Sequence, residues 1–264
     1  MATSETHVPA PGGLIASEPY VPAHGRALVV VGLFVAYIVV AFFSIATTTL
    51  RLATSPIVLA AGEGADGQLT LNDLLMLLVG LAAILVYVTL VIAFLMWLHR
   101  VCRNVPALGN PQSGVEHSPG WAVGSFFIPF VNLVVPYKAV REVWVKSDPA
   151  VRTGDDFMFA QASSAPLVLG WWIAWLVSNV AGNISWRLMG GETPDTQGFV
   201  GGVDIISDLL GIVAAVLAIA VVRGIDRRQA ERARHVSYAP HMPPPPPVFA
   251  QPASQGAGYN APSR

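Results

Sequence analysis

Two carboxylates, Asp204 and Asp208, and two amides, Asn179 and Asn183, each stand four residues apart within apolar stretches of this 264-residue chain. A spacing of four puts each pair on one helical face. In hydrocarbon such groups are costly unless paired, so they mark either a polar path for an ion or solute or a set of structural contacts. Arg187 extends the amide ladder Trp171, Trp175, Asn179, Asn183 by one more step of four. If the two apolar stretches run antiparallel, Asn183 and Arg187 come level with Asp208 and Asp204, and an Arg187–aspartate pair is expected. A second constellation is Arg100 and Asn104, again four apart, with Glu142 further along the chain. An Arg100–Glu142 ion pair would clamp two segments together; the alternative is that Arg100 and Arg103 simply face water.

Enzymatic chemistry finds little footing. The histidines are His7, His24, His99, His117, His235 and His241, and no HExxH, GxSxG or phosphate-loop pattern accompanies them. No catalytic, cofactor-binding or metal-binding residue is assigned, and no cofactor is expected. The single cysteine, Cys102, excludes an internal disulfide framework and reads as a free thiol in a reducing compartment. It also offers itself as a labelling probe of topology.

These residues must be positioned by membrane helices. The chain is 53% hydrophobic and 12% charged, with a mean hydropathy of +0.56, where a soluble chain carries about 25% charged residues. The expected fold is an all-α integral membrane protein. Four stretches suffice to cross a hydrocarbon core needing about 20 helical residues, at about residues 27–50, 74–98, 166–186 and 203–222. The third opens on Pro166, where a helix tolerates proline, and carries Gly170, Ala174, Ser178 and Gly182 as a ridge that admits a close helical neighbour. If Arg223 snorkels, the fourth shifts toward 206–225 and Asp208 becomes interfacial rather than intramembrane.

Thirteen of the fifteen lysines and arginines fall on one side of this arrangement, leaving Arg51 and Arg187 on the other. Basic residues near span ends stay cytoplasmic. The expectation is therefore a cell-membrane protein with both termini cytoplasmic, and an even number of crossings.

That parity bears on WAVGSFFIPFVNLVVPYKAVREVW, residues 121–144. Its apolar part is short for a span, and Pro129 removes a helical hydrogen bond in its middle. We expect a re-entrant or interfacial helical segment over 121–147 that turns near Pro129 and Asn132 and leaves at Pro136. Asn132 should satisfy the freed backbone groups. Tyr137, Val140 and Trp144 then share a face suited to a helix lying in the membrane interface.

Residues 1–25 and 226–264 read as cytoplasmic tails flanking a helical membrane domain at 26–225. The first 25 residues and those from 236 onward have a disorder-prone Pro/Ala/Gly/Ser composition, the latter with five consecutive prolines at 243–247. Arg223 to Arg234 reads as a helical extension touching anionic headgroups. No nucleic-acid motif is present. The expected partners are the lipid bilayer and a protein at the cytoplasmic face or a second copy of the chain.

The strings WLHRVCRNVPALG at 97–109, SPGWAVGSFFIPFVNLVVPYKAVREVW at 118–144 and GWW at 170–172 resemble the bacterial membrane-protein family known as domain of unknown function 4328. The resemblance covers roughly residues 28–225, implies a multi-span helical membrane protein and implies no activity. Ser125 departs from it, since an aromatic is expected there. The functional expectation is a non-enzymatic scaffold or interaction protein, with a small oligomeric transporter or channel using Asp204, Asp208, Asn179 and Asn183 as the alternative.

Overall fold

The computed structural model describes residues 19–61, 71–108, 116–150, 165–188 and 194–238. Of the tails proposed from composition, residues 1–18 and 239–264, the proline run included, lie outside them; residues 19–25 are ordered, with Ala23 buried and the first helix already begun at His24, so the disorder expected there is not found. The described residues form helices α1 (His24–Ala61), α2 (Leu71–Asn104), α3 (Pro119–Gly124), α4 (Val135–Lys146), α5 (Pro166–Leu188) and α6 (Pro194–Tyr238), with short 3-10 turns between and no strand. Four of them, α1, α2, α5 and α6, are long and apolar enough to cross a membrane.

At about 1.5 Å per residue, α5 spans roughly 35 Å, close to the ~30 Å of a hydrocarbon core. The other three are far longer, because backbone hydrogen bonding continues through polar turns once a helix is nucleated. In α6 this carries the helical body to Tyr238, past the boundary expected at 225.

The closely packed pairs are α1 with α2, α1 with α6, and α5 with α6. The small-residue ridge of α5 is the α5–α6 seam: a Cβ on Gly182 would lie 3.3 Å from Ser207 Oγ, and Ser207 Oγ donates to the Ser178 carbonyl at 3.2 Å. Gly211 admits Tyr37, whose hydroxyl occupies the place a Cβ would take.

The core lies at the end where the chain's basic residues gather. Trp97, Leu98, Val101 and Cys102 of α2 meet Val140 and Val143 of α4 and Val221, Val222 and Ile225 of α6. Cys102 is fully buried, so it cannot report topology to a thiol reagent while the protein is folded. Toward the other end α2 exposes Leu77, Leu81, Ile84 and Leu85, the surface a spanning helix offers to lipid.

Pro119–Phe127 and Val131–Lys146 form a hairpin bent by 110°. Ser118 starts it by accepting the Trp121 N–H at 3.2 Å, with proline in the first turn. Ser125, where an aromatic was expected, is fully buried with its hydroxyl on the Ala122 carbonyl at 3.0 Å. A ring would not fit that place. At the tip, Val131 N–H donates to the Pro129 carbonyl at 2.8 Å across Phe130, whose φ is +65°. This is a γ-turn of the strained hand, worth about 1–3 kcal/mol of backbone strain. Phe127 and Phe130 project from it, 70% and 85% exposed.

Candidate functional site

Three constellations result, and the best-tied is a polar junction at the basic end. Gln229 of α6, 1% exposed, donates to the Val101 carbonyl at 2.9 Å and to Ser147 Oγ at 3.2 Å. Its own carbonyl accepts from Asn104 Nδ2 at 3.1 Å, and Asn104 also pairs with the backbone of Val21 through both its amide nitrogen and its oxygen. One turn further, Arg232 Nε donates to the Leu108 carbonyl at 2.9 Å and its Nη1 to the Asp148 carbonyl at 2.7 Å. The carbonyls at 101 and 108 end a helix and a 3-10 turn, where backbone acceptors lack intrahelical partners. The junction thus caps α2 and ties the N-terminal approach, α2, α4 and α6 into one piece.

Around it, Arg228 stacks 4.0 Å above the Trp144 ring and reaches the Trp144 carbonyl and Asp148. Gly224 makes room for that ring. His24 Nδ1 meets Asp226 at 2.7 Å, and beside them burial, reinforced by Asp226, pushes the Tyr20 phenol above its ordinary pKa. Arg228 and Arg232 therefore serve the protein interior, whereas Arg223, Arg227 and Arg234 remain exposed. The face of α4 that carries Val140 and Trp144 likewise packs inward, with Val140 fully buried and Trp144 on α6.

The second constellation lies beside the hairpin. Glu142 binds Lys146 and accepts the Glu116 N–H at 2.6 Å. Its other oxygen is 4.0 Å from His117 Nδ1, and both atoms are buried without a hydrogen-bond partner among the described residues. Glu116, His117 and Glu142 offer ligand atoms within 4.8 Å of one another, a set that a divalent cation or a bridging water would satisfy. Arg100 takes no part: the Arg100–Glu142 clamp is not formed, because Lys146, one turn along the same helix, reaches the carboxylate first. Asn132 does not satisfy freed backbone either; its Oδ1 is buried without a partner. The tip is held by Trp172, whose indole donates to the Leu133 carbonyl at 3.0 Å.

The third is a cavity of about 420 Å³ between the four long helices. α2 and α5 stand at opposite ends of the packed row α2–α1–α6–α5 and leave a gap. At the basic end an aromatic cluster closes it: Phe94 meets Phe126 of the hairpin, Trp171 and Phe34, and Phe126 meets Trp172. Higher in the gap Ser178, Asn179, Asn183, Ser207, Tyr37 and Tyr87 line the wall. Asn179 and Asn183 are not interhelical ties. Each donates its amide to the carbonyl four residues earlier, at 2.7 and 2.8 Å, on its own helix.

Asp204 and Asp208 are absent from that wall. Asp204 accepts a hydrogen bond from Ser185, and Asp208 faces Ser44 of α1. The Arg187–aspartate pair is not formed among the described residues; Arg187 is exposed, and Ser185, two residues before it, takes Asp204. Gln229, Ser147, Arg232 and Trp172 escaped sequence reasoning. For Gln229 and Arg232 the signal was the continuation of the apolar stripe Ala218, Val222, Ile225 at helical spacing, hidden by the arginines on either side.

Four long apolar helices around an internal cavity, stoppered by a bent hairpin, define a polytopic helical membrane protein. Within that class the chain belongs to the family described as Domain of unknown function (DUF4328), whose model matches residues 62–227. The match covers more than half of the chain and starts after α1, later than the resemblance suggested. No curated protein and no solved structure matches.

Proposed function

We propose that the protein is a non-enzymatic membrane scaffold that presents its bent hairpin at the cytoplasmic face, with both termini on that side. The observation that carries this is the contrast between base and tip. The base of the hairpin is locked to α6, and through Gln229 to α2, by paired polar groups, whereas the tip displays Phe127, Phe130 and Leu133. A rigid mount with an apolar tip suits display to a partner, because irregular backbone at membrane depth needs protein to cover it. The Arg-rich end supplies the charge that retains it in the cytoplasm.

A photoreactive residue in place of Phe130 tests this in living cells. Reproducible adducts to one protein, or to a second copy of the chain, are expected. Adducts to lipid alone would make the hairpin an anchor and end the scaffold reading.

The cavity favours a second reading, a small oligomeric transporter or channel. Asn179 and Asn183 line it, while Asp204 and Asp208 do not, so the four residues proposed as one path do not share one wall. Reconstituted vesicles and Asn179→Ala, at the cavity wall, decide: solute flux in wild type, lost in a variant that still folds, would establish transport. Absence of flux in both would remove it.

A further inference from the structure

We propose that the cavity between α2 and α5 is a binding site for an uncharged, single-tailed amphiphile with a hydroxylated head. This stands apart from the scaffold reading and does not depend on it.

The wall is graded along the membrane normal. From Trp171 to Trp186, α5 lines the cavity over about 22 Å, with aromatic side chains at the hairpin end and Ser178, Asn179 and Asn183 beyond them. Phe94, Phe126 and Trp171 close the inner end. Tyr87, Asn183 and Trp186 are exposed and form the mouth. A ligand with a hydrocarbon tail toward Phe126 and a polar head toward Asn183 matches this gradient.

A hydroxylated head suits the chemistry left over, because it both donates and accepts. Each asparagine spends one of its two amide N–H groups on its own helix, leaving the other N–H to donate and a side-chain carbonyl, without a partner among the described residues, to accept. An uncharged head is favoured, since no acidic or basic side chain lines the cavity to pair with a charge, and a charge drawn inward from the mouth would lose water without gaining a partner. Phosphate headgroups and fatty-acid anions are thereby disfavoured. Size sets the tail: 420 Å³, at the ~30 Å³ of a water-sized group in a liquid, takes about a dozen heavy atoms. Shared between head and tail, that leaves one short chain, and the volume falls within the range of ligand pockets, about 300–1,000 Å³. Two-chain lipids exceed it.

The test uses the full-length protein in phosphatidylcholine nanodiscs and a monoacylglycerol whose tail of about six to eight carbons carries bromine, a quencher of the Trp171, Trp175 and Trp186 emission; head and tail together then match the volume of the cavity. Saturable quenching with one-site behaviour is expected. The fatty-acid anion with the same tail should bind at least tenfold more weakly. Asn183→Leu, at an exposed position that leaves the core untouched, should weaken the monoacylglycerol about tenfold. Quenching that rises linearly without saturation, equal behaviour of the two probes, or an unaffected Asn183→Leu would each overturn the proposal. If that variant should misfold, Ser178→Ala combined with Asn179→Ala carries the same expectation.

Discussion

Gln229→Leu should destabilise the protein by about 3 kcal/mol, although it keeps side-chain size and adds apolar character at a fully buried position. The wild-type amide makes three hydrogen bonds, two donated and one accepted, each worth about 0.5–1.5 kcal/mol net. Leucine removes all three and strands the Val101 carbonyl, an end-of-helix acceptor beyond the reach of water. Favourable transfer of the leucine offsets part of this, and the unpaired carbonyl and Ser147 hydroxyl add to it. The decisive measurement is a double-mutant cycle with Asn104→Leu, followed by reversible unfolding in mixed detergent micelles. Because Asn104 and Gln229 share one bond at 3.1 Å, the double variant should lose about 1 kcal/mol less than the sum of the singles. A single-variant cost below about 0.5 kcal/mol, or strict additivity, would refute the view that these residues form one coupled junction.

Other perturbations are equally direct. Gly224→Ala drives a methyl into the Trp144 ring, and unfolding should show a loss of about 1–3 kcal/mol together with loss of the Arg228–Trp144 stacking. Phe130→Gly should be more stable than Phe130→Ala by about 1 kcal/mol, since both remove the ring but only glycine tolerates φ of +65°; equal stabilities would show that the tip relaxes. Cys102 should stay unreactive to a thiol reagent from either side and in gentle detergent, and react only on unfolding, because it is fully buried. Cysteines introduced at Arg51 and Arg223 in a Cys102→Ala background should label from opposite sides of the membrane, and labelling of both from one side would contradict the four-crossing arrangement.

Much of the architecture was legible in the chain because it depends on local, additive properties. Apolar length identifies a spanning helix wherever its neighbours are, and all four expected spans lie within observed helices. The break at Pro129 follows from a missing N–H and a fixed φ, and the 110° bend falls there. The ridge of Gly170, Ala174, Ser178 and Gly182 pointed to a helix seam for a steric reason that holds before the partner is known. Pairing between distant polar residues was not legible. Glu142 is taken by Lys146 of its own helix and approached by His117 rather than by the expected Arg100, and the outcome turned on which group the helix geometry brought within reach. Asp204 was claimed by Ser185 for the same reason.

Composition and periodicity settle helix number, bend and seam, because hydrophobic length and proline stereochemistry act within a few residues of themselves. Folding in three dimensions assigns Gln229 and Arg232 to the interior of an apparently solvent-facing basic helix. It also separates the asparagines from the aspartates and opens a cavity between α2 and α5. Hydrogen bonds act over about 3 Å, and no residue spacing encodes which acceptor will stand at that distance once the helices have packed.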